Sequence, residues 1–422
     1  MACGWSCGAC GMIRGESTAE RVHSVVSDHL VSCHIAKGLD IMPSFAAGND
    51  DFDKEKAGAF QKKITTAIMG TAITNMVAVG HNCGLFEAMD WLGTPSTSAQ
   101  IAAEAKCNER YVREWLAACS TAGLVELNSE GAELTYFLPQ EHAMVLTGEN
   151  SLGPMSDLLH AVDEAKPKIE ECFKETNSTI GVPYDDYPTF QKVMKSLSGP
   201  AHEVIDEVFV PLVPGLHEKL TEGITVLDLG CGSGVAVTRL AECYPNSQFF
   251  GFDIYEPGIE AGNKEAQAKG LTNLKFEAHD AAELKDNSAL NDKFDYITCF
   301  DVVHDCPRPF EMLQGIHKML SPSGVASIIE PTMESGPENN MKNPSAQLYY
   351  TISYMHCMSV SLAYNGAGLG TGWGRLAARK MMVEAGFADE HVKDEVMPLE
   401  MRGNRQFLVK KSEKAWLAGS SL

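Results

Sequence analysis

The segment 225–234 constrains the fold more than any other part of this 422-residue chain. A short apolar run, Thr225–Leu229, leads directly into three glycines at alternate positions, and apolar residues at helical spacing follow from Val235. Glycines let the backbone turn sharply and approach a ligand closely. The pattern predicts a strand, a tight turn and a helix, the unit at which open α/β sheets bind ligands.

Four more apolar runs read as strands, each followed by polar or acidic residues. They span 248–252, 274–277, 294–299 and 325–329, and the last of them ends in Glu330. The carboxyl ends of parallel strands meet at one edge of a sheet, so these residues are expected along one crevice. There Asp253 is placed to accept both ribose hydroxyls of an adenosine. Asp280 is placed to accept from the adenine amino group, while Ala281 offers a backbone N–H.

This ordered series resembles the class I S-adenosylmethionine-dependent methyltransferases. Val226–Gly234 is similar to their first motif, in which Asp228 lies beside the methionine part of the cofactor. The resemblance implies an α/β fold with a Rossmann-like seven-stranded sheet and S-adenosylmethionine as cofactor. A dinucleotide is disfavoured because Asp228 would repel a pyrophosphate, whereas it suits an ammonium group. The predicted cofactor-binding residues are Asp228, Gly230, Gly232, Gly234, Asp253, Ile254, Asp280, Ala281 and Phe300.

The N-terminal half predicts a mostly helical winged-helix domain. Helices are expected over 85–92, 101–105 and 108–121, the last with an apolar stripe that includes Tyr111, and a β-hairpin over 124–138. The hairpin contains Glu126, Glu130 and Glu133 and no lysine or arginine. Because a DNA-binding wing needs cations, dimerisation and a role as substrate lid are favoured over DNA binding.

Winged helix, helical linker and methyltransferase domain follow in an order similar to that of plant-type small-molecule O-methyltransferases and of a mycobacterial-type methyltransferase group. The expected division is an extension (1–55, partly disordered), a dimerisation domain (56–150), a linker (151–218) and the methyltransferase domain (219–422). Helix 60–79 is expected to be largely buried, with a subunit interface as one place for its apolar face. Cys3, Cys7 and Cys10 are interpreted as unstructured tail, with adventitious metal binding or S-acylation as alternatives.

Two histidines are candidates for the catalytic base. The resemblance to plant-type enzymes implies a His-Asp pair after the fourth strand, and His304-Asp305 stands at that place. A histidine with a near-neutral pKa is suited to take the proton from a hydroxyl or thiol. His356, within the apolar segment 349–358, is the rival, and it also fits a core histidine. Catalysis by proximity alone or by a residue of the linker stays open, and no metal site is predicted.

The charge balance restricts the partners. The chain carries 56 acidic and 34 basic side chains, a formal net charge of −22, which repels polyanions such as nucleic acids. No membrane-spanning run and no secretory signal are apparent, so a cytoplasmic location is expected. The winged-helix domain, interpreted as a dimerisation domain, implies a homodimer. The predicted reaction is methyl transfer to an O, S or N atom of a small molecule. Alternatives are other chemistry with the same cofactor, a cofactor-sensing regulator without turnover, and a winged-helix DNA-binding protein.

Overall fold

The computed structural model describes residues 52–148, 151–175, 180–398 and 404–417. The chain divides into two units after Ala72. The three cysteines interpreted as part of an unstructured tail, Cys3, Cys7 and Cys10, lie outside the described residues. Within the described ranges, no helix combines the length and the apolar character needed to cross a bilayer.

Three helices and a hairpin form a small domain with its own core, as the winged-helix prediction requires. Thr97 and Gln100 form the predicted capping box, and the Asn108 side chain accepts from the Arg110 N–H. The rings of Phe86 and Trp115 meet edge to face, 5.1 Å apart, in the core. The elements are α1 (Lys54–Asn82), α2 (Leu85–Leu92), α3 (Ser98–Glu104), α4 (Glu109–Thr121), the antiparallel strands β1 (Glu126–Asn128) and β2 (Thr135–Phe137), and α5 (Gln140–Leu146).

Two apolar surfaces predicted in this region are exposed in a single chain. On α1, Phe60, Ile64 and Ile68 are 63%, 45% and 58% exposed, although their spacing places them on one helix face. The sequence identifies an apolar helix face, but it does not show whether other residues of the same chain pack against that face. On α4, Tyr111 is 78% exposed while Trp115 is buried, because only one side of that helix packs on the core.

The predicted helical linker is present. It contains α6 (Gly153–Asp163), α7 (Lys166–Cys172), α8 (Phe190–Glu203), α9 (Ile205–Val208) and α10 (Leu216–Glu222). Apolar side chains of α6, α7 and α8 share a core cluster with residues of the segment 346–363, among them Val162, Phe190 and Met355. The linker thus supplies one wall beside the C-terminal sheet.

A seven-stranded sheet forms the centre of the C-terminal region, which confirms the predicted fold class. Its order is β5-β4-β3-β6-β7-β9-β8, with β9 antiparallel to both of its neighbours and the other pairs parallel. The connection reverses direction beside β3, which makes the carboxyl end of β3 the topological switch point. The strands are β3 (Thr225–Leu229), β4 (Gln248–Asp253), β5 (Leu274–Ala278), β6 (Phe294–Phe300), β7 (Leu320–Glu330), β8 (Val392–Val396) and β9 (Arg405–Lys410).

Helices cover both faces of this sheet. Side chains of α10 and of the two helices after β3 and β4 form one core cluster, and those of the helix after β6 and the last helix form the other. These further helices are α11 (Val235–Cys243), α12 (Glu256–Ala268), α13 (Pro309–Met319), α14 (Ala346–Ile352), α15 (Met358–Ala363) and α16 (Gly374–Glu384). A π-helical turn, Ser353–Cys357, joins α14 to α15.

The glycine-rich stretch 365–374 packs closely on its surroundings. A Cβ on Gly366 would lie 2.4 Å from the Pro307 Cα, and one on Gly370 would lie 2.0 Å from the Ser353 Oγ. Gly366 and Gly370 therefore allow the backbone of this stretch to lie against Pro307 and Ser353, because a side chain at either position would clash.

Candidate active site

Asp228 lies at the carboxyl end of β3, at the switch point of the sheet. Its side chain is buried, and its Oδ1 accepts a hydrogen bond of 2.8 Å from the Thr298 hydroxyl on neighbouring β6. Burial raises the pKa of Asp228 to about 7, although the bond from Thr298 opposes this. No lysine, arginine or histidine among the described residues pairs with this carboxylate. The Asp228 carboxylate can therefore accept a positively charged group from outside the described residues.

The glycine turn that follows Asp228 has a backbone conformation that favours glycine. Gly230, Gly232 and Gly234 have φ values of +79°, +57° and +76°, which favour glycine. A Cβ on Gly234 would lie 2.1 Å from the Phe276 ring, whereas a Cβ on Gly232 would meet nothing within 4 Å. Gly232 thus borders the open space at the edge of the sheet.

Asp253, at the end of β4, holds this turn in place. One of its oxygens accepts the Gly232 N–H at 2.7 Å and the other accepts the Tyr255 N–H at 2.8 Å. Burial raises the pKa of Asp253, while the backbone N–H groups oppose the rise. Each carboxylate oxygen retains a lone pair for a hydroxyl. Asp253 therefore has a positioning role that the sequence did not suggest, beside the predicted ribose contact.

Asp280 and its neighbours form the next part of this edge. The Asp280 carboxylate accepts from the Ala282 N–H at 2.9 Å and from the Arg308 guanidinium at 2.7 Å. The backbone N–H of Ala281 has no acceptor among the described residues. Ile254 is 64% exposed beside them, an apolar surface on which a planar ring can lie. Arg308 reduces the capacity of Asp280 to accept from a ligand.

Phe300 ends β6 and faces the linker. Its ring lies 5.3 Å from that of His202 and 5.2 Å from that of Phe209. These contacts fix the Phe300 side chain against α8 and the segment that follows α9.

His304 is buried and paired with a carboxylate from the adjacent strand. Its Nδ1 lies 2.6 Å from Oε2 of Glu330 at the end of β7, and Oε1 of Glu330 accepts the Val303 N–H at 2.9 Å. Burial lowers the pKa of His304, but the Glu330 carboxylate and the Cys357 thiol raise it well above its usual value. The pair fixes the ring orientation and stabilises the imidazolium form.

Asp305 is bound from the linker. Its carboxylate accepts a hydrogen bond of 3.1 Å from the Tyr184 hydroxyl. Burial raises the pKa of Asp305 to about 6, against the opposing effect of His304. The contact between Tyr184 and Asp305 brings the linker to the same crevice as the β6 end.

His356 lies in a box of aromatic rings on the π-helical turn. It stacks on Phe190 at 3.6 Å, and the Tyr187 and Tyr184 rings meet it edge-on at 4.7 Å and 5.7 Å. Neither of its ring nitrogens has a hydrogen-bond partner among the described residues. Burial, and then the charge of His304, lower the pKa of His356 to about 3. His356 is therefore neutral at physiological pH.

The structure thus brings most of the predicted residues to one sheet edge and adds partners that the sequence did not identify. These partners are Thr298 for Asp228, Glu330 and Cys357 for His304, and Arg308 for Asp280. The sequence indicated only the position of Glu330, at the end of a predicted strand, and not its pairing with His304. The others come from different strands or loops, and no spacing in the sequence links them.

Family models match both parts of the chain. Residues 220–386 match a model described as a methyltransferase domain, and residues 71–148 match one described as an Rv2258c-like winged HTH domain. The chain therefore contains a methyltransferase domain preceded by a winged helix-turn-helix domain. This confirms the resemblance drawn from the motifs.

Curated relatives cover parts of the chain. An uncharacterized protein of Rickettsia prowazekii is 31% identical over 172 residues, which are 40% of this chain and 63% of that protein. A second uncharacterized protein of the same organism is 29% identical over 41% of this chain and 30% of its own length. The chain thus spans less than two thirds of either relative.

Solved structures share the fold over most of the chain. Human N-acetylserotonin methyltransferase in complex with S-adenosylmethionine has a TM-score of 0.59 and 16% identity, over 86% of this chain and 99% of that one. An O-methyltransferase family protein from Burkholderia thailandensis has a TM-score of 0.57 and 15% identity, over 84% of this chain and 98% of its own. At these identities the likeness shows the fold alone.

Proposed function

We propose that this protein transfers a methyl group from S-adenosylmethionine to an O, S or N atom of a small molecule. The observation that carries the proposal is the buried Asp228 carboxylate beneath the Gly230–Gly234 turn. It has no cationic partner among the described residues, and it lies where open α/β sheets bind ligands. The family match at residues 220–386 and the methyltransferases among the solved structures of similar fold support the same reaction.

The residues present fit this cofactor. The ammonium group of its methionine part would pair with Asp228, and the open space at Gly232 leaves room beside it. The remaining lone pairs of Asp253 suit ribose hydroxyls. Exposed Ile254 and the free N–H of Ala281 suit the adenine ring.

Bound S-adenosylmethionine supplies a methyl carbon that its sulfonium charge makes electrophilic. The protein has to place an acceptor atom in line with that carbon and remove the acceptor proton. We assign the removal of this proton to His304. The pair with Glu330 stabilises the imidazolium that forms when His304 accepts it. Because the pKa of His304 lies well above its usual value, the neutral base becomes more abundant as the pH rises above neutrality.

His356 is the weaker base of the two. Its pKa of about 3 means that it holds a proton poorly, so accepting one from a hydroxyl gains little. Its two unpartnered nitrogens instead suit hydrogen bonding to the acceptor molecule, inside the box formed by Tyr184, Tyr187 and Phe190. We therefore assign His356 to acceptor binding and Asp305 to holding Tyr184 at the crevice.

DNA binding is disfavoured by the charges of the winged-helix domain. On α4 the two arginines are paired within the helix, Arg110 with Glu114 at 2.6 Å and Arg113 with Glu109 at 3.3 Å. The hairpin adds exposed glutamates and no cation. Neutralised or acidic surfaces do not bind phosphates.

Calorimetric titration tests the cofactor site first. Wild-type protein is titrated with S-adenosylmethionine and with S-adenosylhomocysteine, beside Asp228→Asn and a matched control, Asp163→Asn, at an exposed position of α6. Binding that Asp228→Asn weakens and the control retains is expected. A folded wild-type protein that binds neither compound contradicts the proposal.

Turnover separates an enzyme from a cofactor-sensing regulator. Protein that binds the cofactor is incubated with methyl-labelled S-adenosylmethionine and pooled small-molecule acceptors. Labelled product that His304→Ala reduces supports methyl transfer, and binding without product in any pool supports the regulator.

The proposal also includes the domain limits, the cellular location and the oligomeric state of the protein. The domain limits predicted at 56–150 and 219–422, the cytoplasmic location and the homodimer stay predictions. The exposed face of α1 at Phe60, Ile64 and Ile68 supports pairing of two copies, because apolar faces of this kind are usually covered. Light scattering of wild type and of Ile64→Glu/Ile68→Glu tests it, and an unchanged monomer in both contradicts it.

A further inference from the structure

Two cysteines that are 24 positions apart meet at the surface of the winged-helix domain. Cys83 is exposed and Cys107 is partly buried. The Cys107 Sγ lies 3.7 Å from the carbonyl oxygen of Cys83 and 3.4 Å from that of Ala105. Both thiols are free in this structure, and neither belongs to the candidate active site.

Backbone hydrogen bonds fix both cysteines. The Cys83 N–H donates to the Val79 carbonyl at 3.0 Å, in the last turn of α1. After α3, the N–H groups of Lys106 and Cys107 donate to the Ala103 and Ala102 carbonyls at 3.3 Å and 2.8 Å. This is the bond pattern of a Schellman motif, and Lys106 has the left-handed φ of +55° that it requires. The approach of the Cys107 sulfur to Cys83 is therefore set by two rigid helix ends.

A surface cavity lies beside Cys83, the exposed member of the pair. It measures about 460 Å³, and it is lined by Cys83, Glu87, Trp91 and Lys106 among other residues. A tripeptide thiol or a peroxide can reach the Cys83 sulfur through this opening. Lys106 offers a cation to an anionic reagent there, although Glu87 and Glu104 oppose it.

We propose that Cys83 and Cys107 form a reversible intramolecular disulfide, a modification site that links the end of α1 to the turn after α3. The proposal is independent of methyl transfer. Nothing in it requires the cofactor site, which lies in the other domain.

The oxidant is a low-molecular-weight disulfide such as oxidised glutathione. The Cys83 thiolate attacks one glutathione sulfur, which forms a mixed disulfide and releases one glutathione thiolate. The Cys107 thiolate then attacks the Cys83 sulfur, which forms the protein disulfide and releases the second glutathione. The two cysteines lose two electrons, glutathione disulfide gains them, and the two cysteine protons pass to the released thiolates.

The order of attack follows from the surroundings of each sulfur. Burial, and then the neighbouring Cys83, raise the pKa of Cys107, so its thiol is the poorer nucleophile toward solvent reagents. Cys83 is exposed and meets the reagent first. Cys107 reacts in the second step, where proximity to the mixed disulfide compensates for its low thiolate fraction.

Mass spectrometry of the full chain tests the proposal. Reduced protein is equilibrated with oxidised glutathione, the remaining thiols are alkylated, and proteolytic peptides are mapped without reduction. The expected product is a linked pair of peptides that contain Cys83 and Cys107, lighter by about 2 Da than the two free thiol peptides. It should vanish in Cys83→Ser and in Cys107→Ser, and persist in the control Cys172→Ser.

Two results overturn the proposal. One is a Cys83–glutathione adduct that accumulates in wild type and never resolves to the linked peptides. The other is alkylation of both cysteines at the same level before and after oxidation. Circular dichroism of each serine variant confirms that it is folded, and Cys83→Ser gives an exposed-site variant should Cys107→Ser fail to fold.

Discussion

The Nδ1 of His304 lies 2.6 Å from the Oε2 of Glu330, and both side chains are buried. The two residues come from the ends of adjacent parallel strands, β6 and β7. A buried carboxylate beside an imidazole favours its protonated form. The proposed base is therefore held in one orientation, and Glu330, together with Cys357, raises its proton affinity.

Glu330→Gln is expected to shift the pH dependence of methyl transfer toward acid. Loss of the carboxylate charge lowers the pKa of His304, so the neutral base is present at lower pH but accepts a proton less well. The raised His304 pKa also stabilises the wild-type fold below pH 6.5, and this stabilisation is lost as the pH rises through the folded-state pKa. We expect a cost of about 3 kcal/mol in the free energy of unfolding near pH 6.

The measurement is the rate against pH for wild type and variant, with urea unfolding at pH 6 and pH 9. If the two rate profiles coincide, Glu330 does not control the base and the assignment of His304 is wrong.

Cofactor binding is expected to release a proton from Asp228. The pKa of this group is about 7 in the free protein, and a bound ammonium group stabilises the carboxylate. Affinity for S-adenosylmethionine should therefore rise by up to about tenfold per pH unit between pH 5 and pH 7, and level off above. Calorimetry in buffers of different ionisation enthalpy counts the proton. Asp228→Asn should bind more weakly and without this slope, and an equal slope in the variant would assign the proton elsewhere.

The same group affects the free protein in the opposite direction. A raised carboxylate pKa means that the folded state holds the proton more tightly than the unfolded state between pH 3.8 and about 7. Stability of the unliganded protein should therefore fall as the pH rises through that window. Thermal unfolding of wild type and Asp228→Asn checks it, and the variant should show a shallower fall.

Two glycine substitutions should separate folding from binding. Gly234→Ala places a Cβ 2.1 Å from the Phe276 ring at a φ of +76°, so we expect a loss of about 3 kcal/mol in stability. Gly232→Ala meets open space, and its φ of +57° costs about 1 kcal/mol, yet the methyl group enters the proposed cofactor space. Urea unfolding and cofactor titration should therefore rank the two variants in opposite orders. The same rank in both measurements would contradict the placement of the cofactor at Gly232.

His356→Phe is expected to stabilise the unliganded protein slightly. The histidine buries two unpartnered nitrogens among aromatic rings, and an apolar ring of similar shape removes that cost, a gain of about 1 kcal/mol. The lowered pKa of about 3 also makes wild-type stability fall as the pH drops from 6.5 toward 3, and the variant should lose that part of the acid sensitivity. Thermal unfolding between pH 4 and pH 8 measures both effects. Strong destabilisation by the variant at pH 8 would show that His356 has a partner.

Local signals predicted most of the secondary structure. The capping box at Thr97, the cap at Asn108 and the alternate glycines after Leu229 act within a few residues, so their effects are visible in the chain itself. The last two strands, β8 and β9, were not located from the sequence. The start of β7 at Leu320 was missed as well, because Pro322 and Gly324 break the apolar run.

The sequence by itself determined the order of the first five strands of the sheet, the class of sheet and the position of the glycine turn, because hydrophobic periodicity and backbone preferences are local properties. Only the tertiary structure decided which charges meet. It placed Thr298 on Asp228, Glu330 on His304 and Arg308 on Asp280, and it gave the ring nitrogens of His356 no hydrogen-bond partner among the described residues. These contacts join residues that sheet pairing and crossover helices bring together. The pKa of each group therefore follows from burial and neighbours that no spacing along the chain encodes.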